Sequence, residues 1–186
     1  MIVDFDDFHE TNHRLDLLEQ LHAANAAFRC TLFAIPGLGT DAFWDAVPDW
    51  CELAVHGWLH GGPDCSDPRE AENWTYDEAI DVMLAAPARF VEGFKAPGWQ
   101  ISDGTFEALD GLGWWVADQP YNDGRRPEGL RVHRLGDGDH WHGHIQDVCG
   151  NGLAETFAAL LERVRAAESF ELISEVVAPW SAAVAA

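Results

Sequence analysis

The chain has 186 residues, enough for one domain with a real core, and carries a formal net charge of −21 with a single lysine, Lys95, against ten arginines. That balance excludes the basic face that nucleic acid or an anionic membrane surface requires, and no apolar run of about 20 residues offers a bilayer span. Nine tryptophans and ten phenylalanines supply aromatic material for a core or a sugar-facing cleft. Met1 leads straight into an apolar strand, without the basic start and apolar run of a secretion signal, so a cytoplasmic protein is expected, with virion association as the alternative. Cys30, Cys51, Cys65 and Cys149 lack CxxC spacing and are expected as reduced thiols. Composition does not bear on the oligomeric state.

The first predicted element is a strand through Ile2, Val3 and Phe5 that ends on Asp6-Asp7. A helix follows, capped by Thr11 or Asn12 and running to about Ala27, with Leu15, Leu18 and Leu21 at helical spacing. Arg29 to Ile35 is a second strand, and Thr40 or Asp41 opens a short helix to about Val47. A third strand, Glu52 to Val55, delivers His56, and a polar loop from Gly61 to Asn73 leads to a helix capped by Thr75. Val91 to Phe94 is a fourth strand, ending in Lys95. Ser102 or Asp103 caps the next helix, and Trp114 to Ala117 is the fifth strand. Leu130 to Leu135 and Asp139 to Ile145 are expected as two more strands around a Gly136-Asp137-Gly138 turn. Asn151 caps a helix to about Ala167, Phe170 to Val177 is expected as a closing strand, and residues 179–186 as a mobile alanine-rich tail after one domain over 1–178.

Strands alternating with helices imply βαβ units and a largely parallel sheet. Seven or so strands in this length suit a small, irregular α/β barrel, whose chemistry sits at the C-terminal strand ends. Asp6, Asp7, His56, Lys95, Asp118 and the histidines near 142 all fall at those ends.

Two adjacent carboxylates repel, so burying them calls for a cation or hydrogen-bond donors. His56-Gly-Trp-Leu-His60 supplies two imidazoles that meet on one face if the chain makes a helical turn after His56. One Asp and two His leave coordination positions open, as a catalytic metal needs. Asp139-His140-Trp141-His142-Gly143-His144-Ile145 sets three His on one face of a strand, where one can act as a general acid; spacing does not choose among them. Lys95 is placed to hold Asp6 ionised. Trp58, Trp99 and Trp141 are candidate sugar-stacking rings, and Trp44, Trp50 and Trp114 are candidate core. His9-Glu10-Thr11-Asn12-His13 is literally HExxH, but Thr11 and Asn12 favour caps over a helix interior, where that zinc-peptidase motif needs both His on one helix face.

The pattern resembles the polysaccharide deacetylases (the NodB-homology proteins, or family 4 carbohydrate esterases). Phe5-Asp6-Asp7 is similar to their TFDDG motif, and His56-Gly-Trp-Leu-His60 to their H-(S/T)-x-x-H metal motif. Phe94-Lys95-Ala96-Pro97-Gly98-Trp99 resembles a drifted RPPYG motif, and the His142-Gly143-His144 strand their last motif. The resemblance runs along roughly residues 2 to 175. Phe8 stands in place of Gly, Lys95 in place of the Arg that braces the base, and Gly57 in place of a hydroxyl residue.

The resemblance implies a (β/α)7-type barrel of the glycoside hydrolase and deacetylase kind. It implies a divalent ion, zinc by default, on Asp7, His56 and His60. Asp6 would be the base, with Lys95 beside it, and His144 (second choice His142) the acid. Trp58, Trp99, Trp141 and Asp118 would contact substrate, with Asp118 or Asp123 orienting the acid. The implied activity is metal-dependent removal of acetyl from an N-acetylated sugar or polysaccharide. The alternatives are a catalytically reduced carbohydrate-binding or virion-associated structural protein, and an HExxH metallopeptidase.

Overall fold

The structure is a computed structural model that describes residues 1–135, 138–147 and 150–177. Seven strands form one sheet: β1 (Ile2–Phe8), β2 (Cys30–Ala34), β3 (Cys51–Val55), β4 (Phe90–Lys95), β5 (Trp115–Asp118), β6 (Arg131–Arg134) and β7 (His140–His144). Their order is β6-β5-β4-β3-β2-β1-β7, and each neighbouring pair is parallel. Helices α1 (Leu15–Ala24), α2 (Asp41–Ala46), α3 (Tyr76–Ala85), α4 (Asp103–Leu112) and α5 (Leu153–Ala166) pack outside, and α6 (Ile173–Val176) closes the chain. The sheet curls until the β6 residue His133 and the β7 residue His140 meet, their rings tilted by 59° with centroids 5.1 Å apart. This is the expected irregular (β/α)7 barrel, in a single small domain.

Side-chain alternation decides what each layer holds. Val3 and Phe5 of β1, Leu32 of β2 and Leu53 of β3 face outward onto Leu18 and Leu21 of α1, Trp44 of α2 and Leu160 and Val164 of α5. Val116 of β5 and Phe94 of β4 face Met83 of α3 and Phe106 and Leu109 of α4. Each such fully buried side chain contributes roughly 1.5–3 kcal/mol. The inner face begins with Ile2, Phe33, Ala54, Trp115 and Ala117. Gly93 makes room for this layer: a Cβ there would lie 2.1 Å from the Trp115 ring. Above the apolar layer the interior turns polar, with Asp4, Asp6, His56 and Lys95 all buried.

Local chemistry sets most helix starts as expected. Thr75 and Glu78 form a reciprocal capping box, and the Ser102 and Thr40 hydroxyls accept from Thr105 N and Phe43 N. Three expectations are corrected. Helix α5 follows Gly152, with no side-chain cap from Asn151. Helix α1 starts at Leu15, because β1 runs on to Phe8 and residues His9 to Asn12 form a tight turn, with the Thr11 hydroxyl bonded to the His9 ring. Phe170 to Val177 is not a strand. Both sides of β1 are already paired, so only the single bridge Ile2–Glu171 forms before the chain coils into α6. Ile173 and Val177 then plug the barrel's N-terminal end, with Leu172 N donating to Glu175 Oε2.

Cys30, Cys51 and Cys65 are free thiols. Among the described residues no helix is long and apolar enough to cross a membrane. The tail expected over 179–186, Gly136 and Asp137 of the expected turn, and Cys149 lie outside the described residues.

Candidate metal centre

Four non-glycine residues in left-handed backbone line the barrel mouth, Asp7 (φ 65°), His60 (φ 50°), Cys65 (φ 50°) and Trp99 (φ 63°). Such conformations cost of order 1–3 kcal/mol and persist where the surroundings enforce them. Asp7 owes its conformation to an irregularity in β1, whose register against β2 shifts between Phe5 and Phe8. The shift turns Asp7 toward the same mouth as Asp6.

His56 follows the last residue of β3, and Gly57 (φ 71°) starts the turn that returns His60 beside it, with ring centroids 5.2 Å apart. The Glu70 carboxylate holds that turn, accepting the backbone N–H groups of Trp58 (2.9 Å), Leu59 (2.9 Å) and His60 (2.8 Å). A Cβ at position 57 would lie 2.3 Å from Glu70 Oε2, so glycine and the carboxylate fit as a pair. Sequence reasoning missed Glu70. The available signal was the turn itself, whose exposed N–H groups require an acceptor.

Asp7 Oδ1 lies 3.4 Å from His56 Nε2 and 3.5 Å from His60 Nε2. These separations exceed the roughly 2.7–2.9 Å of a charge-assisted hydrogen bond. His56 Nδ1 bonds to the Lys95 carbonyl at 2.9 Å; as that oxygen can only accept, Nδ1 carries the proton and Nε2 points its lone pair at the mouth. His60 Nδ1 is buried without a hydrogen-bond partner among the described residues. One ligating atom from each of Asp7, His56 and His60 falls within 4.8 Å of the others. A carboxylate and two imidazoles, mutually close yet poorly satisfied by one another, fit a zinc-class cation with open positions.

The field of the carboxylates favours a cation at this set, where a proton and a metal ion compete for His56. Burial pushes the Asp7 carboxyl up, but the hydrogen bond from His144 and the proximity of His56 outweigh it and hold the group well below the usual carboxylate range. For His56, burial is outweighed by the charges of Asp6 and Asp7, and its pKa rises. For His60, burial and the neighbouring His56 lower it.

Behind this set lies a second layer of charge. Lys95 is wholly buried, its Nζ 2.6 Å from Asp6 Oδ1 and 3.2 Å from Asp4 Oδ1, and 4.6 and 4.4 Å from the ring centres of Phe33 and Trp99. Asp4 also bonds His142 Nδ1 through Oδ1 at 2.9 Å and His140 Nε2 through Oδ2. Burial raises its pKa, but Lys95, His142 and His140 together hold it well below normal. Sequence reasoning missed Asp4, although it shares the inward face of β1 with Asp6. The three histidines of β7 do share one face, and His144 Nδ1 bonds Asp7 Oδ2 at 3.0 Å.

A cavity of about 370 Å³ opens over Asp6, Asp7, His56, His60 and His144, with Trp99 and Cys65 in its wall. Burial and the nearby Asp7 push the Cys65 thiol up to about 12, so it stays protonated.

Several expected contacts lie elsewhere. Trp58 packs beside Gly37, whose N–H donates to the Trp58 carbonyl, and does not line this cavity. Trp141 alternates with the histidines and so faces outward, packing on the outer core with the Arg163 guanidinium 5.4 Å from its ring centre. Asp118 is held by Asn122 Nδ2 (2.9 Å) and Arg126 Nε (3.0 Å), and Asp123 by Arg126 and Arg134. Asp118 does not line the cavity, and Asp4 and Asp7 are the carboxylates bonded to His142 and His144. The HExxH reading fails on geometry, because residues 9–13 are a bridge-and-turn before α1 rather than a helix.

No family model matches the sequence, and no curated protein matches it. Solved structures do. The Xyl-CE4 domain of a multidomain xylanase from the hindgut metagenome of Trinervitermes trinervoides aligns over 94% of this chain and 87% of its own, at TM-score 0.60 and 14% identity. A family 4 acetyl xylan esterase from Clostridium thermocellum, in complex with a cobalt ion, aligns over 92% and 86%, at TM-score 0.57 and 13% identity. BA3943, a CE4 family pseudoenzyme from Bacillus anthracis, aligns over 95% and 64%, at TM-score 0.62 and 15% identity. Strand order, the curled parallel sheet and these alignments lead to one conclusion: the chain has the fold of the family 4 carbohydrate esterases.

Proposed function

We propose that this protein is a divergent polysaccharide deacetylase, a zinc-dependent hydrolase that removes acetyl from an N-acetylated sugar. The observation that carries the reading is the meeting of Asp7, His56 and His60 with a second carboxylate, Asp6, on one cavity. Asp7, His56 and His60 would hold a divalent ion, zinc by donor preference, which supplies Lewis acidity at the cavity floor. Lys95 fixes Asp6 through Oδ1, leaving Oδ2 to accept the proton of the attacking water. His144, held through Nδ1 by Asp7, presents Nε2 to protonate the departing amine nitrogen. The Trp99 ring gives the sugar an apolar face in the cavity wall. Acetate and the free amine leave.

The test is zinc content and acetate release, measured on the purified protein beside its His60→Ala and Asp6→Asn variants, with N-acetylated chitooligosaccharides as substrate. The first variant should lose zinc. The second should keep zinc and lose about 10²–10⁴-fold in rate. Full activity in a zinc-free His60→Ala protein overturns the reading.

One observation favours a second reading, a catalytically reduced carbohydrate-binding or virion-associated structural protein. Lys95 contacts Asp6 through a single ammonium at 2.6 Å and cannot reproduce a guanidinium's bidentate grip. Stoichiometric zinc without acetate from any acetylated glycan supports this second reading.

A further inference from the structure

We propose a second divalent-cation site, formed by Asp6, His142 and His144, whose occupation blocks the chemistry of the first. One ligating atom from each of these three residues lies within 4.8 Å of the others. His142 Nε2 and Asp6 Oδ2 are 3.9 Å apart, and the two imidazole rings stand edge to face at 5.4 Å.

What distinguishes this cluster from a chance meeting of polar groups is that each member is already held by its other atom. His142 Nδ1 is bonded to Asp4 Oδ1 at 2.9 Å, His144 Nδ1 to Asp7 Oδ2 at 3.0 Å, and Asp6 Oδ1 to Lys95 Nζ at 2.6 Å. Carboxylates supporting imidazoles in this way fix the tautomer and leave Nε2 as the ligating atom. The three residues stand on adjacent strands in register, Asp6 opposite His144 and Asp4 opposite His142, so the backbone sets their spacing.

Charge favours the same conclusion. Asp6, Asp7, Asp64 and Asp147 line the cavity, Asp4 lies buried behind them, and Lys95 is the lysine paired with Asp4 and Asp6. Five formal negative charges against one positive leave four, and a single divalent ion balances only half of that. Lys95 and an ion on His56 and His60 both oppose a second cation, so the second ion binds the more weakly, by about tenfold or more. Imidazole and carboxylate donors select Zn²⁺, Co²⁺ or Mn²⁺. The site stands on its own geometry. The block on chemistry rests on the proposed function, because Asp6 Oδ2 and His144 Nε2 are the base and acid of that reaction.

Titration of the metal-free protein with Co²⁺, followed by calorimetry and visible absorption, tests the site. The wild type should take two equivalents, the second at least about tenfold weaker. His142→Ala should lose only the weaker equivalent, and His60→Ala only the stronger. Should His142→Ala fail to fold, Mn²⁺ electron paramagnetic resonance of the wild type at two equivalents decides: a spin-coupled pair supports the site and two isolated ions overturn it. Saturation at one equivalent in millimolar Co²⁺, or a second equivalent that survives in folded His142→Ala, also overturns it. Acetate release should fall as the second equivalent binds, and full release at two equivalents would overturn the block; two equivalents taken up with no acetate release even at one would remove the deacetylase reading and leave the site standing.

Discussion

Lys95 Nζ and Asp4 Oδ1 lie 3.2 Å apart, and neither side chain has any solvent exposure. The same ammonium serves Asp6, so one cation supports two buried carboxylates. Removing one partner of a buried pair costs about 3–5 kcal/mol, because the other is left as an uncompensated charge. Lys95→Met should therefore destabilise the protein by that amount in urea unfolding at neutral pH. Adding Asp4→Asn removes one stranded charge and should recover part of the loss. Additive effects of the two substitutions would mean that the pair is not coupled.

The same network sets a pH dependence. Burial raises the Asp4 carboxyl but Lys95, His142 and His140 hold it well below its ordinary value. A carboxylate with a depressed folded pKa contributes stability above its unfolded pKa of about 3.9 and loses it as pH falls toward the folded value. Metal-free wild type should lose unfolding free energy steeply below about pH 4, and Asp4→Asn, though weaker at neutral pH, should show a shallower slope there. Glu52 runs the other way. Burial raises its pKa in spite of hydrogen bonds from Ser174 and Thr31, so its contribution is present at low pH and fades as pH rises through the folded value. Glu52→Gln should gain stability relative to wild type as pH rises above the ordinary glutamate value of about 4.3. Urea midpoints from about pH 2 to 8 check both signs.

Much of this site was legible because its ligands are local signals. The acidic end of β1, the four-residue spacing of His56 and His60, and the alternating histidines of β7 each announce themselves within a few residues. The same alternation places Trp141 on the outer face with Val3, away from any sugar in the cavity. Asp4 was not legible in the same way. Its partners Lys95 and His142 lie 91 and 138 residues away, and a carboxylate in a strand acquires meaning only when the sheet curls. Phe170 to Val177 alternates like a strand, yet whether it becomes one depended on a free edge at β1, and both edges are taken.

Trp99 is the one proposed sugar ring that lines the cavity, and its left-handed backbone (φ 63°) follows Gly98 at φ 56°. Tyr121 Oη donates to the Trp99 carbonyl at 3.0 Å, which ties the turn to the chain after β5. Trp99→Ala should weaken binding of an N-acetylated oligosaccharide by about 1–2 kcal/mol in calorimetry, with zinc content unchanged, and Trp99→Phe should restore part of it. Equal affinity in all three proteins would place the sugar elsewhere.

Glu70 gives a prediction that needs no substrate. Its carboxylate gathers three backbone N–H groups of the turn that carries His60, and it touches no metal ligand through a side chain. Glu70→Ala leaves those donors to water and frees the turn, so metal affinity should fall about 10–100-fold, as for other supports of a ligand set. Because Glu70 is only half-buried, opens a short 3-10 turn over Glu70–Glu72 and belongs to no core cluster, the thermal midpoint of the metal-free protein should shift little. Gly57→Ala should act through the same contact, since its Cβ would lie 2.3 Å from Glu70 Oε2 on a φ 71° backbone. Competition with a chromophoric zinc chelator measures each loss. In the Gly57→Ala/Glu70→Ala double variant the steric conflict with Glu70 is gone, so the combined loss should be smaller than the two single losses taken together.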